Sequence, residues 1–154
     1  MRKLFILIAL ALCFTSFSAR TITGKVTAIK DGDTIVVLKA KTTHTIRLDG
    51  IDCPEKKQAF GDRASQFASQ QVFGKKVRVE YKGKDRYQRI LGRVFYDNGK
   101  NLNQELLKAG LAWHYKTYNK DVYLAKLENL ARKNRLGLWV DKNPIPPWNF
   151  RRKH

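Results

Sequence analysis

Residues 21–48 read TITGKVTAIKDGDTIVVLKAKTTHTIRL, and their pattern decides the fold. β-Branched residues recur over 21–29, and the run ends at Asp31-Gly32-Asp33, a composition that favours a tight turn. Thr34-Ile35-Val36-Val37-Leu38 reads as a second strand. A polar loop over 39–42 separates it from 43–48, where Ile46 and Leu48 alternate with Thr45 and Arg47. Three short strands in a meander is the simplest organisation.

Outward from this meander the period changes. Phe60, Ala64, Phe67, Ala68 and Val72 fall on one helical face, with Gly74 as a stop, so residues 60–73 are expected to form a helix. Alternation returns over 75–81, with Val77 and Val79 on one side, and again over 90–96, which ends at Asp97-Asn98-Gly99. Asn101 can cap a short helix over 102–109 that closes at Gly110. A longer helix over 122–135 is expected to bury Tyr123, Leu127, Leu130 and Ala131. The tail Pro144-Ile145-Pro146-Pro147-Trp148 is expected to be neither helix nor central strand, and to wrap the surface with Trp148 as an anchor. Three strands, a helix, two strands and two helices make an α+β, mainly β chain. Its layout is a five-stranded Greek-key barrel of the OB type with three helices.

Lys and Arg number 31 against 13 Asp and Glu, a net charge of +18 on 154 residues. With 43% apolar residues the chain can build a core, which argues against disorder despite that charge. One domain is expected, and no separate cofactor-binding half fits. So large an excess of positive charge implies a polyanionic partner and argues against small cationic substrates.

The N-terminus carries a different pattern. Arg2 and Lys3 precede an apolar run from Leu4 to Phe14, then Ser16 and Ser18 supply small residues at −3 and −1 of a cleavage after Ser18. Residues 1–18 therefore read as a secretory signal peptide, and 19–154 as a single domain. The apolar run is too short for a spanning helix, which needs about 20 residues. Leu12 before Cys13 argues against lipid attachment. Export implies a secreted or periplasmic protein with no stable membrane association, and a monomer is expected. Without Arg2 and Lys3 the chain keeps 29 bases against the same 13 acids, a net of +16. Cys53 remains its only thiol, so no internal disulfide can form, and the three scattered histidines offer no zinc cage.

Five of the 13 acids (Asp31, Asp33, Asp49, Asp52, Glu55) fall between positions 31 and 55, where only Lys39, Lys41 and Arg47 oppose them. Clustered carboxylates repel one another unless a cation lies between them, and oxygen-only donors favour Ca²⁺ or Mg²⁺. Asp-Gly-Asp is also ordinary turn chemistry, and Asp49-Gly50 reads as structural. A second constellation, Asp85-Arg86-Tyr87-Gln88-Arg89 after Lys82 and Lys84, interleaves cations with an aromatic ring. It suits phosphates and a base, or simply a solvated loop. Together the pieces suggest a cation neutralising phosphate, a carboxylate activating water, and two arginines stabilising the transition state.

At these residues the chain resembles the thermonuclease family of staphylococcal-type, calcium-dependent nucleases. The resemblance rests on Asp31-Gly32-Asp33-Thr34-Ile35, Arg47-Leu48 and Ile51-Asp52-Cys53-Pro54-Glu55, and on Asp85-Arg86-Tyr87-Gln88-Arg89-Ile90-Leu91-Gly92-Arg93-Val94-Phe95. The order of elements from about 25 to 139 is also similar. It implies Ca²⁺ held by Asp33, Asp52 and the backbone carbonyl of Cys53, with Asp31 in the outer shell. Glu55 is then the general base, and Arg47 and Arg89 clamp the scissile phosphate. Arg86 and Tyr87 hold the neighbouring phosphate, while Trp113 and Tyr115 line the base. The implied activity is hydrolysis of DNA and RNA with little sequence specificity, giving 3′-phosphate ends. Three positions depart from the family: Cys53 stands where threonine is familiar, Arg86 where lysine is, and Trp113 where tyrosine is. The alternative is a non-catalytic OB-fold protein that binds single-stranded nucleic acid; it would need the basic groove and aromatics but not the acids.

Overall fold

Strand β1 (Arg20–Asp31) pairs antiparallel with β2 (Thr34–Lys39), and β2 with β3 (Thr42–Leu48), which is the expected meander. The structure, a computed structural model, describes residues 20–153; the segment read as a signal peptide lies outside them. After the two-residue β4 (Ile51–Asp52) and helix α1 (Gly61–Val72), strands β5 (Lys76–Lys84) and β6 (Ile90–Tyr96) form a hairpin. β5 pairs with β1, and β6 pairs parallel with β3, so β1, β2, β3, β6 and β5 close into a five-stranded barrel. This is the OB-type, mainly β architecture.

Closure follows from the alternation in sequence. Ile22, Val26, Ile35, Val37, Ile46, Leu48, Val77, Val79 and Val94 all point inward and are fully buried or nearly so. Register against β2 shifts between Val26 and Ala28 and again between Ile29 and Asp31. Such bulges bend a strand, and they let β1 serve two neighbours while its pairing runs on to Asp31. Gly92 lies over Val79, where a Cβ would come within 2.6 Å of its Cγ1.

One end of the barrel is covered by α1 through Ala64, Ala68 and Val72, with Phe60 and Phe67 partly buried beside them. Strand β7 (Lys100–Asn101) leads into α2 (Leu102–Lys108), whose Leu102, Leu106 and Leu107 join the core. Asn101 caps α2 by accepting the Gln104 N–H. Strand β8 (Trp113–His114) pairs with β4 and is followed by α3 (Val122–Lys133) and a 3-10 turn at Gly137–Val140. Among the described residues no helix is long and apolar enough to cross a membrane.

Two expectations are corrected here. In α3 the inward residues are Leu124, Leu127, Glu128 and Ala131, while Tyr123 and Leu130 are exposed. The helix is rotated because Glu128, 1% exposed, accepts the His114 N–H and pairs with Lys116 and Arg132, which fixes β8 against α3. The tail also forms a fourth helix, α4 (Pro147–Lys153). Pro147 occupies its first position, where the missing N–H costs nothing, and Phe150 donates to the Pro146 carbonyl. Trp148 does anchor the tail, in a cluster with Trp113 and Trp139.

Candidate functional site

Asp33 closes the β1–β2 turn and Asp52 lies on β4, 6% and 1% exposed. Burial of two carboxylates demands partners, and both find the same one. Arg47, on β3, directs Nε to Asp33 Oδ1 at 3.1 Å and Nη2 to Asp52 Oδ1 at 2.8 Å. Its Nη1 donates to the carbonyls of Leu48 and Ile51, each at 2.8 Å. Three hydrogen bonds and the ion pair to Asp33 thus engage one guanidinium, and one N–H of Nη2 takes part in none of the three hydrogen bonds.

Each aspartate is fixed from its backbone as well. The Leu48 N–H donates to the Asp33 carbonyl, tying the turn to the end of β3. The Cys53 N–H donates to Asp33 Oδ2 at 2.6 Å, and Asp31 Oδ1 accepts the Asp33 N–H. Gly32 is glycine here for space: a Cβ would lie 2.7 Å from that of Ala64 and 3.0 Å from that of Cys53. Asp52 pairs through β4 with Trp113 on β8.

Electrostatics follow from this burial. Burial raises the Asp33 carboxyl, Arg47 pulls it down, and Asp31 and Asp52 push it up again, leaving it at about 7. Burial opposes the Arg47 charge, but Asp33 and Asp52 outweigh it and hold the guanidinium above its usual value. Burial, with Asp33 beside it, pushes the Cys53 thiol well up, so this thiol is not a nucleophile. A testable sign results. In the folded chain Asp33 keeps its proton up to about 7, whereas unfolded it loses it near 3.8. Between those values the native state binds the extra proton, so stability in chelator falls as pH rises through the window, by a few kcal/mol at the order of magnitude. Urea titrations from pH 4 to 8 check this, and Asp33→Asn is expected to flatten the slope.

Glu55 follows Pro54 on a loop held close to α1. A Cβ on Gly61 would come within 1.9 Å of the Glu55 carbonyl oxygen, so glycine is required there for this approach. Gln58 accepts the Glu55 N–H and donates to the Ile145 carbonyl, joining the loop to the tail. The tail then supplies a side chain that sequence reasoning missed. Arg151, on α4, places Nη1 2.6 Å from Glu55 Oε1 and Nη2 2.8 Å from Asp52 Oδ2. Its Nη1 is also 3.3 Å from Asp52 Oδ1. Burial opposes its charge, and the hydrogen bonds it donates to Asp52 and Glu55 more than compensate, raising its pKa. In sequence it is one of three consecutive cations, with nothing to single it out.

The basic constellation is the turn between β5 and β6. Asp85 organises it by accepting the N–H groups of Tyr87 and Arg89 and the Arg89 Nε at 2.8 Å. Slight burial works against the Asp85 charge, and these bonds overcome it, lowering its carboxyl below the ordinary range. The Arg86 and Arg89 guanidiniums lie 4.8 and 5.5 Å from the ring centre of the exposed Tyr87. Arg89 is thus engaged with its own loop rather than with Asp33 or Asp52. The parallel pairing of Ile90 with Ile46 and of Leu91 with Arg47 sets this loop beside the strand that carries Arg47.

The base-lining pair divides. Trp113 is 7% exposed, packed by Trp139, Trp148 and Arg132, which leaves it no face for a base. Its ring belongs to the cluster of Ala131, Leu138 and Trp139, one strand bridge from Asp52. Tyr115 is half-buried and stacks parallel on Trp148, with ring centres 5.4 Å apart.

Among the described residues no three carboxylate, imidazole or thiol groups converge into a cage. The donor chemistry nonetheless fits a hard divalent ion. Asp33, Asp52 and Glu55 pair with two guanidiniums, Arg47 and Arg151, and Asp31 lies next to them on the Asp33 N–H, so four acids outnumber two cations by two when all are ionised. Asp33 and Asp52 supply the buried oxygens, and backbone carbonyls and water can complete a coordination shell of six to eight.

The sequence profile of the staphylococcal nuclease homologues matches residues 45–141, which include Arg47, Asp52, Glu55 and the basic turn. The chain belongs to this family. An Escherichia coli protein named "Uncharacterized endonuclease" is 45% identical over 130 residues, covering 84% of this chain and 85% of its own. A Haemophilus influenzae protein of the same name is 45% identical over 153 residues, covering 96% of this chain and 85% of its own. The "Micrococcal nuclease" of Shigella flexneri is 43% identical over 139 residues, covering 84% and 80%. Membership of the staphylococcal nuclease family makes the chain a nuclease-type hydrolase with nucleic acid as its substrate class. The hairpin carrying Asp33 and the tail carrying Trp148 and Arg151 lie outside the matched residues.

Proposed function

We propose that this chain is a calcium-dependent nuclease, secreted or periplasmic, that hydrolyses DNA and RNA with little sequence specificity and leaves 3′-phosphate ends. The observation that carries this reading is the pair of buried carboxylates, Asp33 and Asp52, on one guanidinium with Glu55 beside them. A passive binder of single strands has no use for buried acids, which repel its ligand. Asp33, Asp52 and the Cys53 carbonyl would hold Ca²⁺, with Asp31 in its outer shell. When bound, the ion supplies positive charge to the phosphate oxygens.

The rest is done by side chains. Glu55 accepts a proton from water as the water oxygen bonds to phosphorus. The bond to the 5′ oxygen breaks, its electron pair stays on that oxygen, and solvent protonates it. Arg89 and the remaining Nη2 N–H of Arg47 meet the charge that grows on the phosphate, and Arg86 and Tyr87 hold the adjacent one. A net charge of +16 on the mature chain draws the polyanion in. Export rests on the N-terminal pattern of Arg2, Lys3 and the apolar run after them, and a monomer with no stable membrane association is part of the same proposal.

The test is digestion of plasmid, single-stranded DNA and RNA in Ca²⁺, in Mg²⁺ and in chelator. Cleavage in Ca²⁺ alone is expected, and polymerase should extend the products only after phosphatase treatment. Cleavage untouched by chelation overturns the metal assignment; binding without cleavage in Ca²⁺ establishes the non-catalytic alternative.

A further inference from the structure

The acid site carries a group that its chemistry does not ask for. Arg151 bridges Asp52 and Glu55, the proposed ligand and the proposed base, from a seven-residue helix at the far end of the chain. Three residues earlier Trp148 lies parallel on Tyr115, on the ring that would face a nucleobase. One short segment thus covers two separate parts of the same site, with a guanidinium on the carboxylates and an indole on the aromatic platform. Neither residue falls within the stretch that matches the family.

We propose that α4 is an autoinhibitory strap, held closed by Arg151 in the metal-free protein and released when Ca²⁺ binds. The proposal rests on the calcium-nuclease reading of the site. A guanidinium 2.8 Å from Asp52 Oδ2 supplies positive charge on that carboxylate and relieves the repulsion among the acids. A divalent ion on the same carboxylate repels it, because like charges a few ångströms apart in a partly dry site are poorly screened. Both occupants therefore compete for Asp52. Arg151 is suited to leave: its side chain is 41% exposed, while the segment stays attached through Gln58 on the Ile145 carbonyl, the buried Pro147 and the Trp148 ring against Tyr115 and Trp113. Once it leaves, Glu55 regains its free carboxylate, and Tyr115 its open face if Trp148 follows. Substrate would then meet an open site only where the metal is present.

The experiment compares full-length protein with Arg151→Gln by calorimetric titration of Ca²⁺ and by hydrogen exchange of the 144–153 segment. If the strap is closed about nine-tenths of the time, removing it raises apparent Ca²⁺ affinity by about tenfold. In the unaltered protein Ca²⁺ should speed exchange in that segment; in Arg151→Gln exchange should be fast already. Equal or weaker Ca²⁺ affinity in the variant overturns the strap, as does a segment whose protection ignores Ca²⁺. Unchanged Ca²⁺ affinity with weaker binding of a non-cleavable oligonucleotide would instead make Arg151 a phosphate contact, which also overturns it. If neither protein binds Ca²⁺, the metal reading beneath the proposal fails, and Asp52→Asn shows this separately by changing nothing.

Discussion

Glu55→Gln is expected to lower turnover by about 10² to 10⁴-fold while leaving the fold and the affinity for nucleic acid in place. The substitution keeps shape and one acceptor oxygen but removes the basic site that takes a proton from water. Folding should be spared because Glu55 is half-exposed and its side chain supports nothing buried. Its loop is positioned through the backbone, by Gln58 and by the close packing on Gly61. Single-turnover cleavage at saturating Ca²⁺, set beside filter binding of a phosphorothioate oligonucleotide, separates the two effects. A variant that cuts within severalfold of the unaltered rate would remove Glu55 from the chemistry. Loss of binding in step with cleavage would make it a contact that positions substrate, and the base would have to be sought elsewhere. The same variant also weakens the Arg151 bridge, so Ca²⁺ affinity belongs in the comparison.

Much of the barrel was legible because its residues obey one local rule. Ile35 and Val37 or Ile46 and Leu48 face one way at every second position, and the turns between strands, Ala40-Lys41 aside, carry Asp, Asn or Gly. Closure by the parallel β3–β6 pair follows from the order of elements rather than from any residue. The errors lie where a tertiary partner overrules the local pattern. Tyr123 and Leu130 satisfy a helical period, yet Glu128 turns inward because His114, Lys116 and Arg132 surround its carboxylate. No sequence scale buries a glutamate before its partners are known. Pro147 reads locally as a helix breaker, which holds inside a helix but not at its first position.

The acids were legible for a different reason: five in 25 residues of a basic chain is a departure that composition exposes at once. What joins them was less visible. Arg47 looks like a polar-face strand residue until β3, β4 and the β1–β2 turn meet at its guanidinium. Arg151 is 96 residues from Glu55, and only the return of the tail across the barrel end brings the two together. Trp113 and Tyr115 stand two residues apart with the same aromatic character. The pairing of β4 with β8 and the 3-10 turn behind it bury the first and leave the second half-open.

Arg47→Ala should be the most damaging single change, because it acts on stability and chemistry together. Removing the guanidinium leaves Asp33 and Asp52 buried with one fewer cation, and strands the Leu48 and Ile51 carbonyls. Breaking a buried pair from one side costs about 3–5 kcal/mol, since the remaining charge stays in a poor solvent. Asp33 can limit the loss by holding its proton, so the deficit should be smaller at pH 5 than at pH 8. Ca²⁺ should restore part of the stability, and raise the variant's melting temperature more than that of the unaltered protein. Arg47→Lys separates charge from geometry. An ammonium can sit between the two carboxylates but cannot also reach both carbonyls, so it should recover part of the stability, about 1.5–3 kcal/mol, the worth of one charged hydrogen bond. Its turnover, measured below its melting temperature, should remain low, because no directed N–H is left for the phosphate. Full activity in Arg47→Lys would mean that charge alone suffices and that the fork on Asp33 and Asp52 is structural. A loss of stability below 1 kcal/mol in Arg47→Ala would mean that burial of the aspartates is met by other partners, chiefly the Cys53 N–H and Arg151.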